Sequence, residues 1–311
     1  MLPPAAPSML PQEKIGRLAL ACPADVRSQS FDGRPVTVDF TLPVATGGQT
    51  PVAVECTPGS GHTFSLGASD VVCNASDALQ QTASCAFRVI VLGPPKLSVT
   101  KFVAFGDSLT AGWVSPEFGN AHPQPTSSYP YLLQRELQSR YVTQTIRIVN
   151  AGAPGEAAVE ALSRFRSVVG SQRPDVVMLM QGTNDLDVVA GAGAAAAADE
   201  LEAMVAYAQN TGADVVLMTI PPQLRTAAEN LVPPFNDMLR DIATRRRAML
   251  VDVYDVLLRG ACSGDRTTPC MGPDGLHPTA EGYRLIAQEL ARVIVEQYDV
   301  EVLSFPSGGH P

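Results

Sequence analysis

A chain of 311 residues is long enough for two domains, and its 45% hydrophobic against 17% charged residues exclude global disorder. A formal charge of -9 and a pI near 4.9, with no basic run beyond Arg245-Arg246-Arg247, exclude nucleic acid and anionic membrane surfaces as natural partners. No segment reaches the roughly 18 apolar residues that a membrane-spanning helix needs.

Residues 1–19 are Pro-rich and expected to be flexible. They lack the basic and apolar regions of a signal peptide, so secretion implies an export signal already removed from the chain. Over 20–94, short runs such as PVTVDFTLP, PVAVECTP and ASCAFRVIVLG alternate with Gly, Pro, Ser and Asn, the texture of a small all-β sandwich. Cys22, Cys56, Cys73 and Cys85 lie in this part, and Cys262 and Cys270 in the next. Even numbers in each part predict disulfides closed within each domain, and hence a secreted or cell-envelope protein. Metal ligation is the competing reading, but no CxxC or Cys/His cluster supports it, and no metal is expected. Four cysteines allow three pairings, all of them open. Cys22-Pro23, Pro51-Val52-Ala53-Val54-Glu55-Cys56-Thr57-Pro58, Val72-Cys73-Asn74 and Cys85-Ala86-Phe87 resemble the hyalin-repeat (HYR) domain, an immunoglobulin-like sandwich. The resemblance implies spacing or adhesion, with contact to the envelope or matrix, rather than chemistry.

Residues 95–100 read as a linker. From 101 to 300 the pattern alternates between buried-strand runs at 101–106, 146–150, 175–180, 213–220 and 249–254 and helical periodicity over 129–141, 156–169, 194–210, 230–247 and 279–298. This predicts an α/β domain with a doubly wound parallel sheet and helices on both faces, followed by a tail at 301–311. A Cys262–Cys270 disulfide would brace the segment just before the last helix.

In an open α/β sheet, ligands lie beyond the carboxyl ends of the strands. There this sequence places Gly106-Asp107-Ser108-Leu109, Asn150-Ala151-Gly152 and Gln181-Gly182-Thr183-Asn184-Asp185, with Asp274-Gly275-Leu276-His277-Pro278 ahead of the last helix. A serine hydroxyl needs a base to attack near neutral pH, and the developing oxyanion needs donors already aimed at it. Ser108 supplies the hydroxyl and His277 the base, with Asp274 three residues earlier to hold the ring. The N–H groups of Ser108 and Gly152 and the Asn184 amide can meet the oxyanion. Each segment alone is equally a turn or a helix cap. Four together, with complementary roles, are not explained that way. Asp107 and Asp185 have no further hard ligands beside them, so capping outweighs a metal or paired-carboxylate role. Trp113 and Asp107 are taken as substrate-contacting. His122, in loop 113–128, lacks a hydroxyl to activate, and loops 153–158, 186–193 and 221–232 complete the expected pocket walls.

These four segments resemble blocks I, II, III and V of the SGNH (GDSL-like) hydrolase superfamily, over residues 101–296. The resemblance implies a three-layer α/β/α, flavodoxin-like sandwich, a Ser108–His277–Asp274 triad, and an oxyanion hole of Ser108, Gly152 and Asn184. It implies hydrolysis of carboxylic esters through an acyl-enzyme, with no cofactor. Short acyl or O-acetyl esters, small or on polysaccharide, are the expected substrates. Lipase, lysophospholipase, thioesterase or acyltransferase chemistry would use the same residues. A non-catalytic adhesion or carbohydrate-binding protein, the rival from another class, gives Ser108, Asn184, Asp274 and His277 nothing to do.

Overall fold

The structure, a computed structural model, describes residues 16–115, 120–186, 193–225, 228–259 and 270–300. They form two compact units, one ending at Pro94 and the other spanning Pro95–Val300.

The first unit is all-β: β1 (Ala19–Ala21), β2 (Val26–Gln29), β3 (Val36–Val38), β4 (Val44–Thr46), β5 (Ala53–Thr57), β6 (His62–Phe64), β7 (Gly67–Ser76) and β8 (Thr82–Leu92). Strands β2-β8-β7-β5 make one sheet, while β1 pairs with β4 and β3 with β6. Along β7, buried Val71, Cys73 and Ala75 alternate with exposed Val72, Asn74 and Ser76, the period-2 pattern of a half-buried strand. Val71 and Cys73 share a core with Val38, Phe64, Phe87 and Val89. Of the three open pairings, the one formed is Cys22–Cys85 with Cys56–Cys73. The end of the segment expected to be flexible packs onto this unit at Leu18. Leu18 is buried, and its N–H donates to Gln81 Oε1, because the chain there is already docking its apolar side chain beside β1.

The second unit contains, in order, β9 (Lys96–Leu97), β10 (Lys101–Gly106), α1 (Ser108–Ala111), β11 (Trp113–Val114), β12 (His122–Pro123), α2 (Tyr129–Arg140), β13 (Arg147–Gly152), α3 (Ala158–Gln172) and β14 (Val176–Met180). It continues with α4 (Gly193–Asn210), β15 (Asp214–Met218), α5 (Val232–Arg246), β16 (Met249–Val251), α6 (Val253–Arg259), α7 (Ala280–Tyr298) and β17 (Asp299–Val300). Five parallel strands run in the order β13-β10-β14-β15-β16. Every residue of β14 is buried, as a strand covered on both faces requires. Alternation along β10 feeds two cores. Phe102 and Ala104 pack with Leu133 and Leu137 of α2 and Tyr283 and Leu290 of α7. Val103 and Phe105 pack with Phe165 of α3, Leu201 of α4 and Phe235 of α5. The unit is therefore a three-layer α/β/α sandwich with flavodoxin-like strand order.

Two expectations need correction. Residues 95–100 are not a free linker. Leu97 is buried, its N–H donates to Gln144 Oε1 at 2.8 Å, and it pairs with Asp299 across β9 and β17. The apolar run 249–254 is not one strand. Asp252 Oδ1 accepts the Asp255 N–H at 3.1 Å, a capping contact that ends the strand and starts α6.

Candidate active site

The register of the sheet assembles the site. Gly106, the last residue of β10, lies between Gly152 on β13 and Met180 on β14, so the segments following or ending these strands emerge side by side where the strand order reverses. Ser108 is the first residue of α1, and the Asp107 carboxylate caps that helix by accepting the Leu109 N–H at 2.9 Å. Gly152 permits the close approach of β13 to α1. A Cβ there would lie 2.2 Å from Ala111 N and 2.8 Å from Asp107 O.

Ser108 Oγ lies 2.9 Å from His277 Nε2, and His277 Nδ1 lies 2.7 Å from Asp274 Oδ2. Ser108 and His277 are both buried. Asp274 Oδ1 accepts the N–H groups of Leu276 and His277, each at 3.0 Å. Partial burial raises the Asp274 pKa, but hydrogen bonds from the His277 ring and these two N–H groups outweigh it and hold the carboxyl at about 2. An ionised Asp274 keeps the ring proton on Nδ1, which leaves the Nε2 lone pair facing the Ser108 hydroxyl. The loop carrying both residues is closed by Gly272 N–H to His277 O at 2.9 Å and Thr279 N–H to Cys270 O at 3.0 Å. From outside it is held by Leu224 N–H on Gly275 O at 2.8 Å and Ser115 N–H on Pro278 O at 3.3 Å. Cys270 is buried and disulfide-bonded, while Cys262, its expected partner, lies outside the described residues.

Two of the three expected oxyanion donors, the Gly152 N–H and the Asn184 amide, already have partners at these strand ends. Gly152 N–H donates to Asn150 Oδ1 at 3.0 Å, and one proton of the Asn184 amide goes to Glu156 O at 2.9 Å. Trp113 is half-buried with its ring centroid 5.9 Å from that of His277. Asp107, expected to contact substrate, has no exposed surface. It is fully buried behind Ser108, where burial pushes its carboxyl up to about 7 against the pull of the Leu109 N–H and of His277. Asp185 accepts the Ala158 and Val159 N–H groups at the start of α3 at 2.8 and 3.3 Å. Exposed His122 contacts Gln124 and the Asn120 carbonyl. Among the described residues, no group of three His, Cys, Asp or Glu side chains could hold a metal ion.

Two charged residues, Glu156 and Arg164, escaped the sequence reading, and Gln181, named there at the end of the third strand, was given no role. Arg164 Nε donates to Glu156 Oε1 at 2.7 Å, and Gln181 Nε2 donates to Glu156 O at 3.1 Å. A charged residue at helical spacing reads as solvated surface. The helical periodicity of α3 carried no sign that Arg164 reaches the strand ends.

A buried serine and histidine in line with a partly exposed aspartate, at the carboxyl edge of a parallel sheet, is an arrangement suited to acyl transfer. Residues 104–285 match the family model of the GDSL-like lipase/acylhydrolase family, and the chain belongs to that family of ester hydrolases. Among solved structures, LAE5, an alpha/beta hydrolase enzyme from the metagenome of Lake Arreo in Spain, is 26% identical, with 63% of this chain and 94% of that one covered and a TM-score of 0.53. A lipase/acylhydrolase from Enterococcus faecalis shares the fold at 24% identity, over 64% of this chain and 97% of that one, with a TM-score of 0.55. Axe2, an acetylxylan esterase from Geobacillus stearothermophilus, shares it at 21% identity, over 64% and 96%, with a TM-score of 0.53. No curated protein matches the sequence.

Proposed function

We propose that this protein cleaves carboxylic esters by two-step acyl transfer, with Ser108 as nucleophile, His277 as general base and acid, and Asp274 orienting the imidazole. The observation that carries the reading is the continuous line Ser108 Oγ–His277 Nε2 and His277 Nδ1–Asp274 Oδ2, at 2.9 and 2.7 Å. Ser108 Oγ attacks the carbonyl carbon while its proton passes to Nε2, and the alcohol leaves with that proton. Water then gives a proton to Nε2 as it attacks the acyl-enzyme. Collapse returns that proton to Ser108 and releases the acid. The oxyanion is met by the Ser108 N–H and the Asn184 amide, each donor worth about 3 kcal/mol. Gly152 N–H joins them by sharing its proton between Asn150 Oδ1 and the oxyanion.

The substrates we favour are short acyl or O-acetyl esters, carbohydrate esters first. The indole of Trp113 beside His277 offers an apolar face to a sugar ring, and Axe2, of the same fold, acts on acetylxylan. The two disulfides of the all-β unit support a secreted or envelope location, with that unit as a hyalin-repeat-like spacer or contact module. Among the described residues, no helix is long and apolar enough to cross a membrane.

The test is hydrolysis of p-nitrophenyl esters from acetyl to long-chain by the parent and by folded Ser108→Ala. The variant is expected to lose at least about a thousandfold in kcat, and undiminished hydrolysis would overturn the reading. Product analysis with and without a sugar acceptor separates hydrolysis from transfer.

A further inference from the structure

We infer that Arg164, clasped by Glu156, is a positioning residue for the oxyanion-binding edge of the site, an inference that rests on the ester-hydrolase reading above. Arg164 lies on α3, and its guanidinium Nη1 donates to Ala151 O at 2.6 Å and its Nη2 to Gly106 O at 3.1 Å. The Ala151 carbonyl and the Gly152 N–H belong to one planar peptide unit, so fixing the oxygen fixes the direction of that N–H. Gly106 O sits at the end of β10, directly before Asp107 and Ser108, and it also accepts the Ala153 N–H at 2.9 Å.

Glu156 extends the same clasp to the third strand end. Its carboxylate takes the Nε of Arg164 at 2.7 Å and, through Oε2, the Nη2. Its backbone oxygen accepts the Asn184 Nδ2 at 2.9 Å and the Gln181 Nε2 at 3.1 Å. Two oxyanion donors from different elements, the Gly152 N–H and the Asn184 amide, are thus referred to one Arg–Glu pair. The guanidinium is further pinned with its carbon 3.9 Å from the Phe105 ring centroid. The side chains are 29% exposed for Arg164 and 16% for Glu156. An ordinary surface ion pair would not spend its fork on two backbone carbonyls. Only a planar guanidinium, with donors in fixed directions, can serve those carbonyls and a carboxylate together, whereas an ammonium is a compact point charge. The guanidinium is directed at protein carbonyls and a carboxylate, so its effect on chemistry passes through Gly152 and Asn184.

Transition-state donors tolerate little displacement, and a shift of about 1 Å costs on the order of a hundredfold in rate. We therefore expect Arg164→Lys and Glu156→Gln each to lower kcat on p-nitrophenyl acetate by about ten- to a hundredfold while KM stays within about twofold. Inactivation by a p-nitrophenyl phosphonate, whose tetrahedral adduct places an oxygen where the oxyanion would sit, should slow by a similar factor. A merely structural ion pair would change the melting temperature and leave both rates alone. Folded Arg164→Lys with kcat and phosphonylation within twofold of the parent overturns the inference. Should that variant not fold, the same comparison on Glu156→Gln decides. Ser108→Ala, run in parallel, keeps the readings apart. Hydrolysis surviving there removes the serine-hydrolase reading and this inference with it, whereas hydrolysis lost there and intact in both clasp variants removes this inference alone.

Discussion

Asp107 and Asp274 lie on either side of the Ser108–His277 pair, and the protein treats their charges in opposite ways. Asp107 is fully buried, with one oxygen on the Leu109 N–H and the other without a partner among the described residues, and burial pushes it up to about 7. Its folded pKa lies above the unfolded value of about 3.9, so the folded state binds more protons in between. The stability tied to this group is full below about pH 4 and is lost as pH rises through 7. Asp274, held at about 2, has the opposite sign: its contribution is full above about pH 4 and is lost as pH falls toward 2. Asp107→Asn keeps an acceptor for Leu109 and removes the charge. Its melting temperature relative to the parent should therefore rise more at pH 8 than at pH 5, and a pH-independent difference would contradict the buried-acid account. Asp274→Asn should lower kcat by about a thousand- to ten-thousandfold, because an amide no longer fixes the Nδ1 proton. A loss under about tenfold would remove Asp274 from the proposed triad. That Ser108, Asp274 and His277 would come together was legible in the sequence, because their residue types and positions match a single chemistry. The full burial of Asp107 was not legible because side-chain burial is not written in a strand-end turn, and Arg164 was missed because a helix surface can face a strand end as well as water.

At the scale of elements, the start of α7 shows local propensity and packing pulling in opposite directions. Thr279 caps the helix by accepting the Gly282 N–H at 3.3 Å, and Gly282 stands in its first turn against the chain at Cys270. Helix propensity alone makes Gly282→Ala stabilising by up to about 1 kcal/mol. A Cβ there, however, would lie 2.2 Å from the Cys270 carbonyl oxygen and 3.0 Å from Pro278 Cβ. Overpacking against backbone costs about 1–3 kcal/mol, so the variant should be less stable in urea denaturation. A gain in stability would mean that the loop before α7 yields freely. The same contrast explains which elements were readable. Long apolar runs such as β14 and β15 lie within the predicted strands. The two-residue β9 has no periodicity to show, and α6 was hidden in an apolar run until the Asp252 cap divided it.

At the scale of the molecule, the two units are stabilised by different means. The second has separate cores on the two faces of its sheet. The first has one small core, and domains of its size rarely draw more than about 3–5 kcal/mol from such a core. Its disulfides join residues 63 and 17 positions apart, Cys22 to Cys85 and Cys56 to Cys73. Chain-entropy reasoning gives them roughly 4 and 3 kcal/mol. Either one is comparable to the stability of the unit it closes. The double substitution Cys22→Ala with Cys85→Ala should therefore abolish or sharply lower the calorimetric transition of the all-β unit. The rate of p-nitrophenyl acetate hydrolysis per molecule should stay within about twofold, because every group proposed for the chemistry lies in the unit from Pro95 to Val300. Parallel loss of hydrolysis and of both transitions would show that the chain unfolds as one cooperative block, so that the all-β unit is a structural requirement of the hydrolase rather than a separately stabilised companion.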